Sequence, residues 1–222
     1  LNTLLTDAEL AEAEQLIHQL YQIGVDALIV QDTGIFNLNL PPIALHASTQ
    51  MDNRTVEKVK FLSAVGFPRV VLARELTLEQ IKEIHTAVPE TELEVFVHGA
   101  LCVSYSGQCY ASQHCYGRSA NRGACAQLCR WKYDVILRER ESGLEMPIDE
   151  DERGAYIMNS KDLCLMPRLG EVISAGPDSL KIEGRNRSEY YVGSVVHAYR
   201  CAMDAYARDP ENFNPDEFMT EL

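Results

Sequence analysis

Cysteines crowd one stretch of this chain: Cys102, Cys109, Cys115, Cys125 and Cys129 lie in HGALCVSYSGQCYASQHCYGRSANRGACAQLC, and Cys164 follows in NSKDLC. Thiolates bind metals and attack electrophiles, so this density points to metal or redox chemistry. Neither the paired CxxC knuckles of a zinc site nor a compact ferredoxin run is present, and spacing alone does not choose the metal. A nucleophilic cysteine served by His98 or His114 is the competing use, since such partners need only meet in space. Cys201 stands apart, at helical spacing among Val192, Val195, Val196 and Tyr199, and reads as a small buried hydrophobe. The total of seven cysteines is odd, which speaks against a complete disulfide framework and for a reducing cytoplasm.

A second set of residues gathers at strand ends. Period 2 puts His46, Ser48 and Gln50 on one face of one strand, and Lys181, Glu183 and Arg185 on one face of another, with Leu180 and Ile182 opposed. Arg74 and His98 end two further strands. Arg74, Lys181 and Arg185 are candidates to bind a carboxylate or phosphate, and His46 and His98 to move protons. The alternative is a structural ion-pair network, whose burial costs several kcal/mol unless every charge is paired.

These residues need elements to position them. Apolar residues recur at helical spacing from Ala8 to Tyr21 and from Val56 to Val65, with short strands at Asp26 to Val30, Ile43 to Leu45 and Leu93 to Val97. Thr6 with Glu9, and Thr77 with Gln80, predict capping boxes. IGVDALIV, VGFPRVVL and AGPDSLKI each put Gly where a helix stops and a strand begins, the residue that enters the left-handed conformation without steric cost. Helix and strand in alternation predict a parallel sheet. No Gly-rich phosphate loop follows any strand and several strands end in charge, which favours a TIM-like barrel with its site at the C-terminal strand ends.

The chain has 222 residues, 46% hydrophobic and 24% charged, with a formal net charge of -13. That balance excludes a nucleic-acid footprint over the whole surface. From Cys102 to Arg140, however, Arg118, Arg122, Arg130, Lys132, Arg138 and Arg140 outnumber Asp134 and Glu139. The cysteine-rich stretch is thus also the basic one. No apolar run approaches the ~20 residues of a membrane span.

Glu94, Phe96, Gly99, Ala100, Leu101, Cys102, Gly107, Cys109 and Ser112 follow the pattern E-x-F-x-x-G-[SA]-x-C-x(4)-G-x-C, and the chain resembles the U-type collagenase-like peptidase family. Ala111 is smaller than the aliphatic residue usual there. HASTQ, NSKDLC and LKIEGR also look like family blocks. The resemblance implies a partial β/α barrel over residues 1–206, lacking its N-terminal strands, with a cysteine-rich insertion at 99–140. Residues 207–222 would then begin a linker to a C-terminal domain. It implies a [4Fe–4S] cluster on Cys102, Cys109, Cys125 and Cys164, with Cys129 the main rival and Cys115 a weaker one. It further implies oxygen-independent hydroxylation of a transfer or ribosomal RNA base, with prephenate a required metabolite. Tyr105, Tyr110, Tyr116 and Trp131 could stack such a base or merely pack the loop. The alternatives are hydroxylation of a ubiquinone precursor, and proteolysis, for which neither an HExxH helix nor a nucleophile elbow is present. A metal that merely staples the loop is a further alternative.

Overall fold

The computed structural model describes residues 1–131, 133, 135–148 and 161–222. Lys132, Asp134 and the first two residues of NSKDLC lie outside the described residues. Helix α1 (Asp7–Gln22) opens on the expected capping box, the Thr6 amide donating to Glu9 at 2.7 Å, and buries Ala13 and Ile17. Strand β1 (Ala27–Val30) and strand β2 (Ala44–Ala47) follow. Helix α2 (Val56–Val65) is capped by Thr55, and Gly66 ends it at φ +118°. Then come β3 (Arg69–Val71) and α3 (Leu78–Ala87), the latter started by the Thr77 and Gln80 box. The long strand β4 (Glu92–Gly99) runs into the cysteine segment, which holds α4 (Ala111–Tyr116) and the antiparallel hairpin β5 (Val135–Arg138) and β6 (Glu145–Ile148). The chain returns through β7 (Leu163–Cys164), α5 (Leu169–Ser174), β8 (Ser179–Glu183) and α6 (Glu189–Arg208).

The strands β1, β2, β3, β4 and β8 lie side by side in that order, all parallel, and β7 pairs antiparallel with the end of β4. Among the described residues the sheet does not close, and β1 and β8 are its edges. The fold is therefore α/β with a mostly parallel sheet. Leu28, Val30, Leu45, Val70, Leu93 and Val95 turn to one face, where they share a single core with Ile17 of α1, Leu62 of α2, Ile84 of α3, Val172 of α5 and Ala198 of α6. The other face carries Ile29, His46, Arg69, Val71, Glu94, Phe96 and Lys181, as strand alternation requires.

One expectation shifts. Phe96 sits beside Lys181 but His98 sits beside Ile182, so Val97 is an extra residue that reverses the alternation of β4. Residues 207–222 pack back on the body through a 3-10 helix at Pro215–Glu221, because Phe213 and Phe218 stack at 6.0 Å and Tyr206 meets Phe213 at 5.4 Å.

Candidate functional site

A cavity of about 520 Å³ opens where β1, β2, β3, β4 and β8 end, under the cysteine segment. Backbone sterics set its floor. Gly99 has φ +106°, and a Cβ there would stand 2.3 Å from the Glu183 carbonyl oxygen; at Gly107, φ +74°, it would stand 2.0 Å from the Gln50 carbonyl oxygen. Only glycine lets the segment lie so close to both strand ends. Side chains then pin it: Ser106 donates to Glu75 from its amide at 3.1 Å and its hydroxyl at 3.0 Å, and the Thr49 hydroxyl reaches the Ser106 hydroxyl at 3.4 Å. Beneath, fully buried Asn53 donates to the carbonyls of Ser48 at 2.8 Å and Val71 at 2.9 Å, tying the turns after β2 and β3.

Arg74 is fixed by three contacts. It donates to the Ala100 carbonyl at 2.5 Å and to Glu183 at 2.7 Å, and its guanidinium carbon lies 3.8 Å from the Phe96 ring centroid. Burial would raise the pKa of Glu183, but the Arg185 amide and the Arg74 guanidinium outweigh it and hold the carboxyl below its usual range. Lys181 donates to Glu94 at 2.6 Å, and Ser179 donates to the other carboxylate oxygen at 3.1 Å. For Glu94 too burial raises the pKa, and Lys181, Ser179 and Arg69 bring it below the ordinary value.

The structure brings Gln50, Arg74, Lys181, Glu183 and Arg185 to this one cavity, although Gln50 stands in the 3-10 turn beyond β2 and Arg185 in the turn beyond β8 rather than on the strands. His46 shares the sheet face with Lys181 but lies beside Arg69, short of the cavity; burial, then Arg69, lower its pKa. His98 is a correction. The extra residue in β4 sends it among the rings of Tyr199, at 5.6 Å, and Tyr191, at 5.9 Å, where burial lowers its pKa. Sequence alternation missed Glu75, Arg130 and Arg187, which also line the cavity from turns that carry no periodic signal.

Cys102, Cys109, Cys125 and Cys129 line the cavity. Cys164 does not: it faces His98 across the β4 and β7 pair, close enough to Tyr199 to help burial push that hydroxyl's pKa up. Desolvation pushes the Cys102 thiol up; Arg74 and Arg130 pull it down, and Cys129 and Cys125 add to the rise. Four thiols with two neighbouring guanidiniums suit an iron–sulfur cluster in donor type and charge. Among the described residues no three His, Cys, Asp or Glu side chains stand in a metal-binding group, so the segment would have to draw its thiols together around a cluster.

The cavity is electropositive on an acidic chain. Among the described residues, Arg74, Arg130, Lys181, Arg185 and Arg187 line it against Glu75 and Glu183. Among the described residues no histidine lines it, and no helix is long and apolar enough to cross a membrane.

Known proteins share this framework. A 23S rRNA 5-hydroxycytidine C2501 synthase of Escherichia coli is 52% identical over 92% of this chain and 30% of its own length. The tRNA hydroxylation protein P1 of Bacillus subtilis is 40% identical over 90% of this chain and 47% of its own. A collagenase of Porphyromonas gingivalis is 36% identical over 92% of this chain and 50% of its own. The chain therefore spans about a third to a half of these relatives' lengths. The model of peptidase family U32 matches residues 1–222, and the chain belongs to that family.

Proposed function

We propose that this chain is the substrate-binding core of an iron–sulfur-dependent hydroxylase that acts on an RNA base without dioxygen. The observation that carries the reading is the sign of the cavity: five cationic and two acidic side chains on a chain of net charge -13. On a chain of net negative charge, an excess of cations at one opening favours a polyanion there. Relatives named for rRNA and tRNA hydroxylation agree with it. The helices of the βα units all cover one face of the sheet, as in a barrel wall, which supports closure of a β/α barrel in the longer protein.

Cys102, Cys109 and Cys125 would hold a [4Fe–4S] cluster with either Cys164 or Cys129 as the fourth thiolate. Bound there, the cluster supplies electron transfer. The chain's own residues bind and orient. Arg74, locked by Glu183 and Phe96, gives the cavity a fixed positive wall, and Arg185 has no carboxylate hydrogen-bonded to its guanidinium among the described residues. Arg185 is thus placed to take a carboxylate of a small co-substrate such as prephenate, or an RNA phosphate, whereas Lys181 is already paired with Glu94. The peptidase reading lacks a cysteine–histidine pair in the cavity, because no described histidine lines it.

The test is anaerobic purification of the full-length protein, with iron and sulfide analysis, an absorbance spectrum, and mass mapping of RNA from a deletion strain carrying each cysteine variant. Iron with sulfide, and an RNA base that loses its hydroxyl in the deletion strain, are expected. Alanine at Cys102, Cys109 or Cys125 should abolish both; Cys201→Ala should abolish neither. Cys129→Ala against Cys164→Ala identifies the fourth ligand. Peptide cleavage by a protein without iron would overturn the reading, as would unchanged RNA with a ubiquinone precursor accumulating.

A further inference from the structure

The cysteine segment exposes four aromatic side chains, and the structure tells them apart. Tyr116 and Trp131 meet edge to face at 5.0 Å, and neither they nor Tyr110 line the cavity. Of these four, Tyr105 alone does, and it is 59% exposed.

Tyr105 is also held from behind. The Arg54 guanidinium carbon lies 4.2 Å from its ring centroid, and Arg54 itself donates to Asp52 at 3.0 Å. The next two residues anchor the segment: Ser106 bonds Glu75, and Gly107 presses against the Gln50 carbonyl. One ring face is thus covered by a cation that comes from the turn after β2, which leaves the opposite face for a stacking partner. An aromatic ring fixed before its partner arrives loses little entropy on stacking.

We propose that Tyr105, backed by Arg54, is the platform on which an unpaired RNA base stacks at the mouth of the cavity. The proposal rests on the RNA reading above and names its contact. Stacking accepts any base, so Tyr105 supplies affinity and position, while recognition of one base falls to polar groups deeper in the cavity.

The experiment uses full-length protein and two probes, a single-stranded RNA oligonucleotide and the same sugar–phosphate backbone with every base removed. Wild type should bind the intact probe more tightly than the abasic one. Tyr105→Ala should weaken binding of the intact probe by about five- to a hundredfold, the range of one base–aromatic stack, and leave the abasic probe unaffected. Tyr105→Phe and Tyr105→Trp should keep the preference, and Arg54→Ala should reduce it. The slope of log affinity against log salt should be the same in wild type and Tyr105→Ala, since phosphate contacts are untouched; a loop that had merely unfolded would lower binding of both probes. Equal binding of both probes by wild type, or an intact preference in Tyr105→Ala, overturns the platform while leaving RNA binding in place. Binding of neither probe by wild type overturns the RNA reading itself, and the platform with it.

Discussion

Glu94 shows what a residue of the family signature does physically. It is 10% exposed at its side chain and neutralises Lys181 at 2.6 Å, with Arg69 further off at 3.6 Å, under the cavity floor. Its folded pKa lies below the ordinary 4.5, so ionised Glu94 contributes stability that is complete above that value and is lost as pH falls through the depressed folded pKa. Glu94→Gln should therefore be about 2 kcal/mol less stable than wild type at pH 7, by denaturant unfolding, with the gap narrowing as the solution is acidified below 4.5. A gap that persists unchanged in acid would mean that packing, not charge, holds the site. The pattern of Glu94, Phe96, Gly99 and Gly107 is readable in the sequence, but its partners are not. Lys181, Arg74, Glu183 and Gln50 reach these residues across the fold, and no local spacing announces such a meeting.

At the scale of elements, helices are the most legible part. The helical spacing from Val56 to Val65 matches α2 end for end, both capping boxes form, and Gly24, Gly66 and Gly176 all take positive φ at +84°, +118° and +91°. Caps and stops are local chemistry, so a local reading finds them. Strand facing is less secure because one extra residue inverts it, and Val97 is that residue. Its effect is concentrated on His98, which exchanges the cavity for a pocket of tyrosines and has its Nδ1 buried without a hydrogen bond among the described residues. His98→Phe should accordingly keep both the thermal midpoint and RNA modification in cells, whereas Arg74→Met should lose modification. If His98→Phe also abolished modification while folding normally, a role in proton transfer would return.

For the whole molecule, the net charge hides the feature that matters. The sequence gathers Arg74, Lys181 and Arg185 at the strand ends and locates other basic residues in the cysteine stretch, but it does not join the two sets, as the structure does by adding Arg187 and bringing Arg130 to the same cavity. Of the basic residues in that stretch, Lys132 lies outside the described residues, and Arg138 is occupied by Glu145 within its hairpin at 2.9 Å. The guanidiniums of Arg130 and Arg185 hydrogen-bond no carboxylate side chain among the described residues and are the better candidates for docking RNA. An Arg130→Glu, Arg185→Glu double variant should weaken RNA binding strongly at low salt. Its salt dependence should flatten by about 0.7 log units per log salt for each phosphate it no longer neutralises, whereas Arg138→Glu should do neither. The reverse ranking would move the docking surface out to the hairpin. Backbone rests on backbone at Gly99 and Gly107, with no side chain between the segment and the strand ends. For protein engineering this divides the loop into a foundation and a superstructure. The run between those glycines is anchored at both ends, so new specificities are best grafted beyond Cys109, where Gly117, with nothing within 4 Å of its would-be Cβ, marks open ground.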